Sequence, residues 1–340
     1  MTTIRDVAKA AGVSVSTVSR ALNGYQDVNE KTRRRIQETS RQLGYIPNQS
    51  AKNLSSKTAK NVALLISGIA TEDKLDEFTG NLIRGVYEYM NEQGDTIAVY
   101  GITSQMQEEK SLETMCHEYS LSGVMFMGMK VQDCYLKEVA DIGIPCVSID
   151  VVPQGGDVAV VTTDDEAAFE EITDYVLDRG HKQVVLLSGN DSAQVTYLRQ
   201  AGFENSLKKH GINVQDMDVL KCRFLEEVAY ENTKSYIQKY RKTKATAFIC
   251  MSDLMALGVC RAVAECGYRV PDDFSVTGFD GLLILDYIRP YLTTISQNIT
   301  GKGYQGVRTL MQMVSGRPFS GKIYVPYRLV ERESVKDIHF

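Results

Sequence analysis

No apolar run in the chain approaches a membrane span. The longest, such as Val62-Ala63-Leu64-Leu65-Ile66, stops far short of the ~18 residues required. The opening stretch Met1-Thr2-Thr3-Ile4-Arg5-Asp6 has an acid and no apolar segment, so no secretory signal is expected. The seven cysteines include no C-x-x-C pair, and His117, His181, His210 and His339 lie far apart, which excludes a zinc-type ligand set. Reduced thiols in a cytoplasmic protein are expected. A Gly-rich phosphate loop, a nucleophile elbow and metal-ligand spacing are missing as well. These absences argue against an enzyme, and no cofactor and no metal are expected. The composition is ordinary for a globular chain, with 43% hydrophobic and 24% charged residues. Its 340 residues have room for two or three domains at ~100–200 residues each.

The charge is unevenly placed. Residues 1–60 hold eleven Lys and Arg against four Asp and Glu, a net of +7, whereas the whole chain is −5 and residues 61–340 therefore carry −12. A small basic head on a large acidic body points to a polyanion-binding module joined to something else.

The head has helical punctuation. Thr3-Ile4-Arg5-Asp6 has capping-box form, and Ile4, Val7, Ala8 and Ala11 follow at helical spacing up to Gly12. Ser14 can cap a second helix carrying Val15, Val18, Ala21 and Leu22, which ends before Asn23-Gly24. A third helix begins near Asn29-Glu30, carries Thr32, Ile36 and Leu43, and stops at Gly44. Two helices joined by a tight Gly-containing turn, with a third behind, form a helix-turn-helix. Val15 and Ser16 lie in the first turn of the second helix, where side chains reach major-groove base edges, and Arg20 lies one turn on. An Arg fork suits guanine O6 and N7, and Val can touch a thymine methyl. Taken singly, Val15 also fits a core position and Arg20 a phosphate clamp. The Arg33-Arg34-Arg35 run reads as solvated or phosphate-facing. Beyond Pro47 comes a short segment with few helix-stabilising features, which would need support to fold.

Ile4-Arg5-Asp6-Val7-Ala8, Ala11-Gly12-Val13-Ser14, Thr17-Val18-Ser19-Arg20, Asn23-Gly24, Lys31-Thr32-Arg33 and Leu43-Gly44-Tyr45-Ile46-Pro47-Asn48 resemble the headpiece of the lac repressor/gal repressor family. The resemblance runs through nearly all of the first 55 residues. It implies a homodimer on near-palindromic double-stranded operator DNA, with Val15, Ser16 and Arg20 facing the major groove. It assigns Thr3, Asn23, Asn29 and Thr32 to phosphate or flanking contacts. It also makes residues 48–56 a hinge helix whose Leu54, with Ala51 beside it, wedges into the minor groove.

From Asn61 onward apolar strands alternate with amphipathic helices, which argues for an α/β fold built of parallel units. The expected first half runs through strand Val62–Ser67, helix Phe78–Gln93, strand Thr96–Tyr100, helix Glu108–Tyr119, strand Gly123–Met127, helix Asp133–Ile142 and strand Cys146–Ile149. The second half repeats the scheme from helix Glu166–Arg179 to a last strand Ile323–Val330. The expected domains are a headpiece at 1–47, a hinge and linker at 48–60, and a core at 61–340. Its lobes are placed at about 61–150 plus 285–310, and 151–284 plus 311–340. Ligands bind beyond the carboxyl ends of such strands. Asp150, Ser252, Asp253 and Asp280 lie at strand ends, Arg199 opens a helix, and Phe78 or Phe224 can cover a sugar face. Asp253 also fits a helix N-cap, Asp150 a turn cap and Phe78 a core position.

Arg199-Gln200-Ala201-Gly202-Phe203, Ser252-Asp253-Leu254-Met255-Ala256-Leu257-Gly258, Gly278-Phe279-Asp280 and Leu292-Thr293-Thr294-Ile295 resemble the same family's effector core, itself similar to the periplasmic sugar-binding proteins. By motif position the resemblance places Asp150, Arg199 and Asp280 on sugar hydroxyls and makes Phe224 the aromatic. Ser252 stands where sugar-responsive members often have Asn, and Ala229 precedes Tyr230 where Gly is common. The acidic stretch with Glu72, Asp73 and Asp76 favours a neutral sugar over a sugar phosphate. The function implied is a transcriptional repressor of carbohydrate-utilisation genes, released from its operator by a small sugar. The alternative is a global carbohydrate regulator or a corepressor-dependent member. No heptad repeat follows Val330, so a dimer is expected.

Overall fold

The computed structural model describes residues 2–22, 25, 27–45, 61–67, 77–155, 158–241 and 245–339. Asn23, Ala51, Leu54, the hinge at 48–56 and the acidic stretch with Glu72, Asp73 and Asp76 lie outside the described residues. The chain divides into two compact units, Met1–Lys60 and Asn61–Phe340.

The first unit contains α1 (Ile4–Ala11), α2 (Val15–Leu22) and α3 (Glu30–Gln42). The Asp6 carboxylate accepts from both the Thr3 N–H and the Thr3 hydroxyl at 2.8 Å, which holds Asp6 below the usual carboxylate range. Gly12, at φ 63°, makes the left-handed turn that ends α1. Ser14 Oγ then accepts from the Thr17 N–H at 3.1 Å, and Asn29 Oδ1 from the Lys31 N–H at 2.9 Å. Val7, Ala8, Ala11, Val18, Ala21, Val28 and Ile36 form the core of the unit. Leu43, expected on the inner stripe of the third helix, is instead its exposed C-cap residue.

The second unit is built on two six-stranded sheets. The first is formed by β1 (Val62–Ser67), β2 (Ile97–Ile102), β3 (Gly123–Met127), β4 (Cys146–Ile149), β5 (Ala159–Thr162) and β11 (Gly321–Tyr324), in the order β11-β5-β4-β3-β1-β2 and wholly parallel. The second has β6 (Val184–Ser188), β7 (Asp218–Lys221), β8 (Ala247–Cys250), β9 (Ser275–Asp280), β10 (Thr293–Ser296) and β12 (Arg328–Val330), in the order β12-β10-β9-β8-β6-β7. There only β12 runs antiparallel, against β10. The helices are α4 (Glu77–Gln93), α5 (Ser104–Glu109), α6 (Leu112–Glu118), α7 (Tyr135–Glu138), α8 (Asp165–Leu177), α9 (Gln194–Lys209), α10 (Glu226–Tyr240), α11 (Asp253–Glu265) and α12 (Ile299–Val314). Each sheet turns back on itself at its first strand, β1 or β6, so the carboxyl ends beside that strand open a crevice.

Several expected boundaries move. The expected helix Glu108–Tyr119 is two helices, because Lys110 is extended and Ser111 Oγ caps a new start by accepting from the Thr114 N–H. The expected helix Asp133–Ile142 shortens to α7, because the Asp133 carboxylate turns back to accept from the Lys130 N–H and Ser104 Oγ. The last strand Ile323–Val330 divides at Pro326, which has no N–H for a ladder, and its halves join different sheets. The lobes are redrawn accordingly. Val147 pairs with Ala159, so β5 belongs to the first sheet, and Thr293 pairs with Thr277, so β10 belongs to the second. The chain therefore crosses between lobes near residues 163, 297 and 326, and not near Asp150, 285 and 310.

Candidate functional site

Val15 opens α2 with 42% of its surface exposed, which removes the core alternative for it. Ser16 beside it is exposed and shares a 2.7 Å hydrogen bond with Ser14 Oγ. Arg20, one turn on, is paired with Asp27 and lies 5.5 Å from the Tyr25 ring centroid, so its guanidinium is held near the α2 surface. Thr3 and Asn29 are exposed helix caps and Thr32 is half-buried on α3. Within the arginine run the expectation needs correcting at Arg33. Its Nη2 donates to the carbonyls of Tyr25 (2.7 Å) and Val28 (3.4 Å), so it holds the loop before α3. Arg34 remains exposed beside Glu30.

In the core, Phe78, Asp150, Arg199, Phe224, Ser252 and Asp280 all line one cavity of about 360 Å³. Phe78 and Asp150 come from the first lobe, and the other four from the second. Among the described residues, hydrogen bonds clasp the lobes together. The Val131 N–H donates to the Ser192 carbonyl (2.9 Å), the Val152 N–H to Gln194 Oε1 (2.7 Å), and the Leu283 N–H to Glu77 Oε1 (2.6 Å). Arg223 and Phe224 are consecutive non-glycine residues at φ 59° and 64°, a costly turn that sets the Phe224 ring over Gly189. A Cβ on Gly189 would lie 2.1 Å from Phe224 Cζ, so the side chain that this position lacks makes room for the aromatic.

The polar residues are already oriented. Arg199 is buried, donates through Nε to Asp165 Oδ1 (2.7 Å) and through Nη1 to the Met251 carbonyl (2.5 Å), and stacks 3.9 Å from the Phe279 centroid. Asp150 Oδ1 accepts from Thr162 Oγ1 (2.9 Å) and Lys302 Nζ (2.7 Å). Asp280 Oδ1 accepts from Gln297 Nε2 (2.6 Å), and burial pushes this carboxyl well above its ordinary range. Ser252 is the N-cap of α11, its Oγ accepting from the Met255 N–H at 3.3 Å. Asp253, weighed in the sequence as a cap, is instead a buried pillar. Its carboxylate accepts from the N–H groups of Gly281 (2.7 Å) and Leu282 (2.8 Å) and from Thr294 Oγ1 (2.6 Å), and burial raises it to about 6. It fixes the turn that carries Asp280. Met127 and Met129 line the cavity, while Met115, Met125 and Met251 are buried.

Residues 3–48 match the family model of bacterial regulatory proteins of the lacI family, and residues 173–335 match that of the periplasmic binding protein-like domain. The chain thus carries a lacI-family DNA-binding domain followed by a periplasmic binding protein-like domain. It is 29% identical over 341 residues to the HTH-type transcriptional repressor PurR of Photobacterium profundum, covering 100% of both chains. It is 27% identical over 336 residues to the catabolite control protein A of Priestia megaterium, covering 98% of this chain and 99% of that one. Among solved structures, the lac repressor dimer bound to operator and the anti-inducer ONPF aligns with a TM-score of 0.86 at 26% identity, covering 98% and 99% of the two chains.

With this pair of domains the chain is a DNA-binding transcriptional regulator. Its relatives are regulators and not enzymes. Among the described residues no helix is long and apolar enough to cross a membrane. Three buried residues behind the cavity were missed in the sequence: Asp165, Gln297 and Lys302. Asp165 carried a signal, since a second acid directly after the N-cap Asp164 begins α8. Gln297 and Lys302 carried only a weak one, a lysine on the otherwise apolar inner stripe of α12 with Ile299, Gly303, Gly306 and Leu310.

Proposed function

We propose that the chain is a repressor of carbohydrate-utilisation genes, binding as a homodimer to a near-palindromic operator and released by a small neutral sugar. The observation that carries this reading is the pair of carboxylates, Asp150 and Asp280, presented to one cavity from opposite lobes with Phe224 and Phe78 beside them. A carboxylate accepts from polyol hydroxyls, Arg199 donates to ring or hydroxyl oxygens, and an aromatic ring covers the apolar face of a sugar. The buried cations support a neutral ligand: Arg199 is already answered by Asp165 and Lys302 by Asp150. The volume lies at the small end of the ~300–1,000 Å³ usual for ligand sites, which suits a mono- or disaccharide. Ser252, shortened and engaged as a cap, narrows the set of hydroxyls recognised.

In the headpiece, Val15, Ser16 and Arg20 read the major groove, Thr3, Asn23, Asn29 and Thr32 hold phosphates or flanks, and Ala51 and Leu54 of the hinge at 48–60 enter the minor groove. The regulator works on the nucleoid in the cytoplasm. Sugar between the lobes favours one lobe angle, residues 60–150 of the two subunits shift, and the hinge helices lose their support. The coupling is reciprocal, so operator weakens sugar binding.

The test is a thermal melt of the full chain against neutral mono- and disaccharides, sugar phosphates and nucleobases. A ligand at ~100 times its dissociation constant stabilises by ~2.7 kcal/mol, and Asp280→Ala is expected to abolish that shift. A shift from a neutral sugar alone supports the reading. A shift from a nucleobase or sugar phosphate, or none at all, overturns it. A neutral sugar that strengthens retention of DNA would make the chain corepressor-dependent.

A further inference from the structure

Lys302 exposes none of its side chain. From α12 its Nζ donates to Asp150 Oδ1 and to Gln297 Oε1, each at 2.7 Å. Gln297 is also fully buried. Its Oε1 accepts a second hydrogen bond from Thr163 Oγ1 at 3.3 Å, and its Nε2 donates to Asp280 Oδ1 at 2.6 Å. Thr162 Oγ1 completes the set by donating to Asp150 Oδ1 at 2.9 Å. An unbroken chain of hydrogen bonds therefore runs from the end of β4 in one lobe, through Lys302 and Gln297, to the end of β9 in the other. It passes through two of the segments where the backbone crosses between lobes, at Thr163 and at Gln297 itself.

Residue chemistry makes this arrangement directional. An ammonium without water must be answered by a carboxylate and by further acceptors, and an apolar residue of the same size would fill the space without that need. Two donors converge on Gln297 Oε1, which fixes the amide orientation and turns Nε2 toward Asp280. Any movement of Asp150 therefore disturbs Lys302, then Gln297, then Asp280.

We propose that Lys302 and Gln297 are positioning residues that join Asp150 and Asp280 into one unit across the lobes, so that a ligand held by either carboxylate acts on both and on the crossovers. Every bond of the network joins two protein groups, so the proposal does not depend on which effector the cavity takes. The competing account is a local Lys302–Asp150 ion pair that only stabilises the first lobe.

Amide hydrogen exchange on the full chain without ligand separates the two, with Lys302→Met and Gln297→Leu against the unaltered protein. The expected reporters are the N–H groups of Asp150, bonded to the Val161 carbonyl, and of Gly281 and Leu282, bonded to Asp253. Lys302→Met should speed exchange at Gly281 and Leu282 at least tenfold, although Lys302 touches neither. Gln297→Leu should do the same at Asp150, while β6 and β8 keep their rates in both variants. Changes confined to α12 and β4 in Lys302→Met, or an unaltered Asp150 in Gln297→Leu, would reduce the network to a local pair and overturn the proposal. If Lys302→Met does not fold, Gln297→Leu decides alone. Asp150→Ala strands the buried ammonium and should lower the melting midpoint, and adding Lys302→Met should recover most of that loss. No recovery would mean the two groups are not coupled.

Discussion

Val15 and Arg33 divide the headpiece side chains into those that face outward and those that hold the fold. Val15 is an exposed β-branched residue at the start of a helix, so its truncation removes little packing. Val15→Ala is expected to leave the melting midpoint within about 0.5 kcal/mol of the unaltered protein while changing base preference at one operator position, read by selection from a random DNA pool. Arg33 looks like one of three equivalent arginines, yet its side chain is 19% exposed and its guanidinium is tied to two loop carbonyls. Arg33→Ala should cost the first unit about 1–3 kcal/mol, measured by exchange of the α3 amides, whereas Arg34→Ala should change it little. The sequence could not rank the three, since only the path of the preceding loop decides which one meets a carbonyl.

Among the elements, the contact between α4 and α12 is set by glycine. A Cβ on Gly303 would lie 2.0 Å from the Leu82 carbonyl oxygen, and one on Gly85 would lie 1.9 Å from that of Thr300. The two helices pass backbone against backbone, and this closeness brings Lys302, next to Gly303, under the end of β4. Gly303→Ala should therefore push the helices apart and cost about 1–3 kcal/mol. Gly80 on the same α4 has open space around its missing Cβ, so Gly80→Ala should stabilise by about 0.5–1 kcal/mol. Parallel melts of the two variants test the contrast. Opposite signs for one substitution type would show that packing, and not helix propensity, governs Gly303.

At the scale of the whole molecule, the second lobe is closed by the chain's last residues. Ser334 Oγ accepts from the Thr293 N–H (2.8 Å) and donates to the Val276 carbonyl (2.6 Å), which ties the segment after β12 across β9 and β10. His181 sits beneath it. Its Nε2 donates to the Lys336 carbonyl (3.0 Å), which leaves Nδ1 to accept from Thr246 Oγ1 (2.8 Å). Burial lowers this imidazole below its ordinary 6.5. The unfolded chain therefore binds this proton more readily than the folded one, so the contribution of His181 to stability falls as the pH drops below about 6.5, opposite in sign to that of the buried Asp253 and Asp280 carboxyls. Between pH 7.5 and 5.5 the midpoint of His181→Gln should rise relative to that of the unaltered protein as the pH falls. An equal slope in that variant would assign the acid sensitivity elsewhere.

Local chemistry determined much of this protein on its own. Thr3, Ser14, Asn29 and Gly12 fix the helix ends of the headpiece through bonds to near neighbours, so their roles could be read in order along the chain. Alternation of apolar strands and amphipathic helices likewise announced the parallel α/β core, and of the polar residues read at strand ends, Asp150, Ser252 and Asp280 line the cavity. The tertiary structure alone decided which strands share a sheet, because β5, β10, β11 and β12 are short and β11 finds its partner β5 far back in the sequence, Gly321 beside Ala159. It alone also revealed the buried cation behind the cavity. Lys302 meets Asp150 across 152 residues of chain. Only the folding of both lobes around their crossovers turns a lysine on an apolar stripe into the link between them.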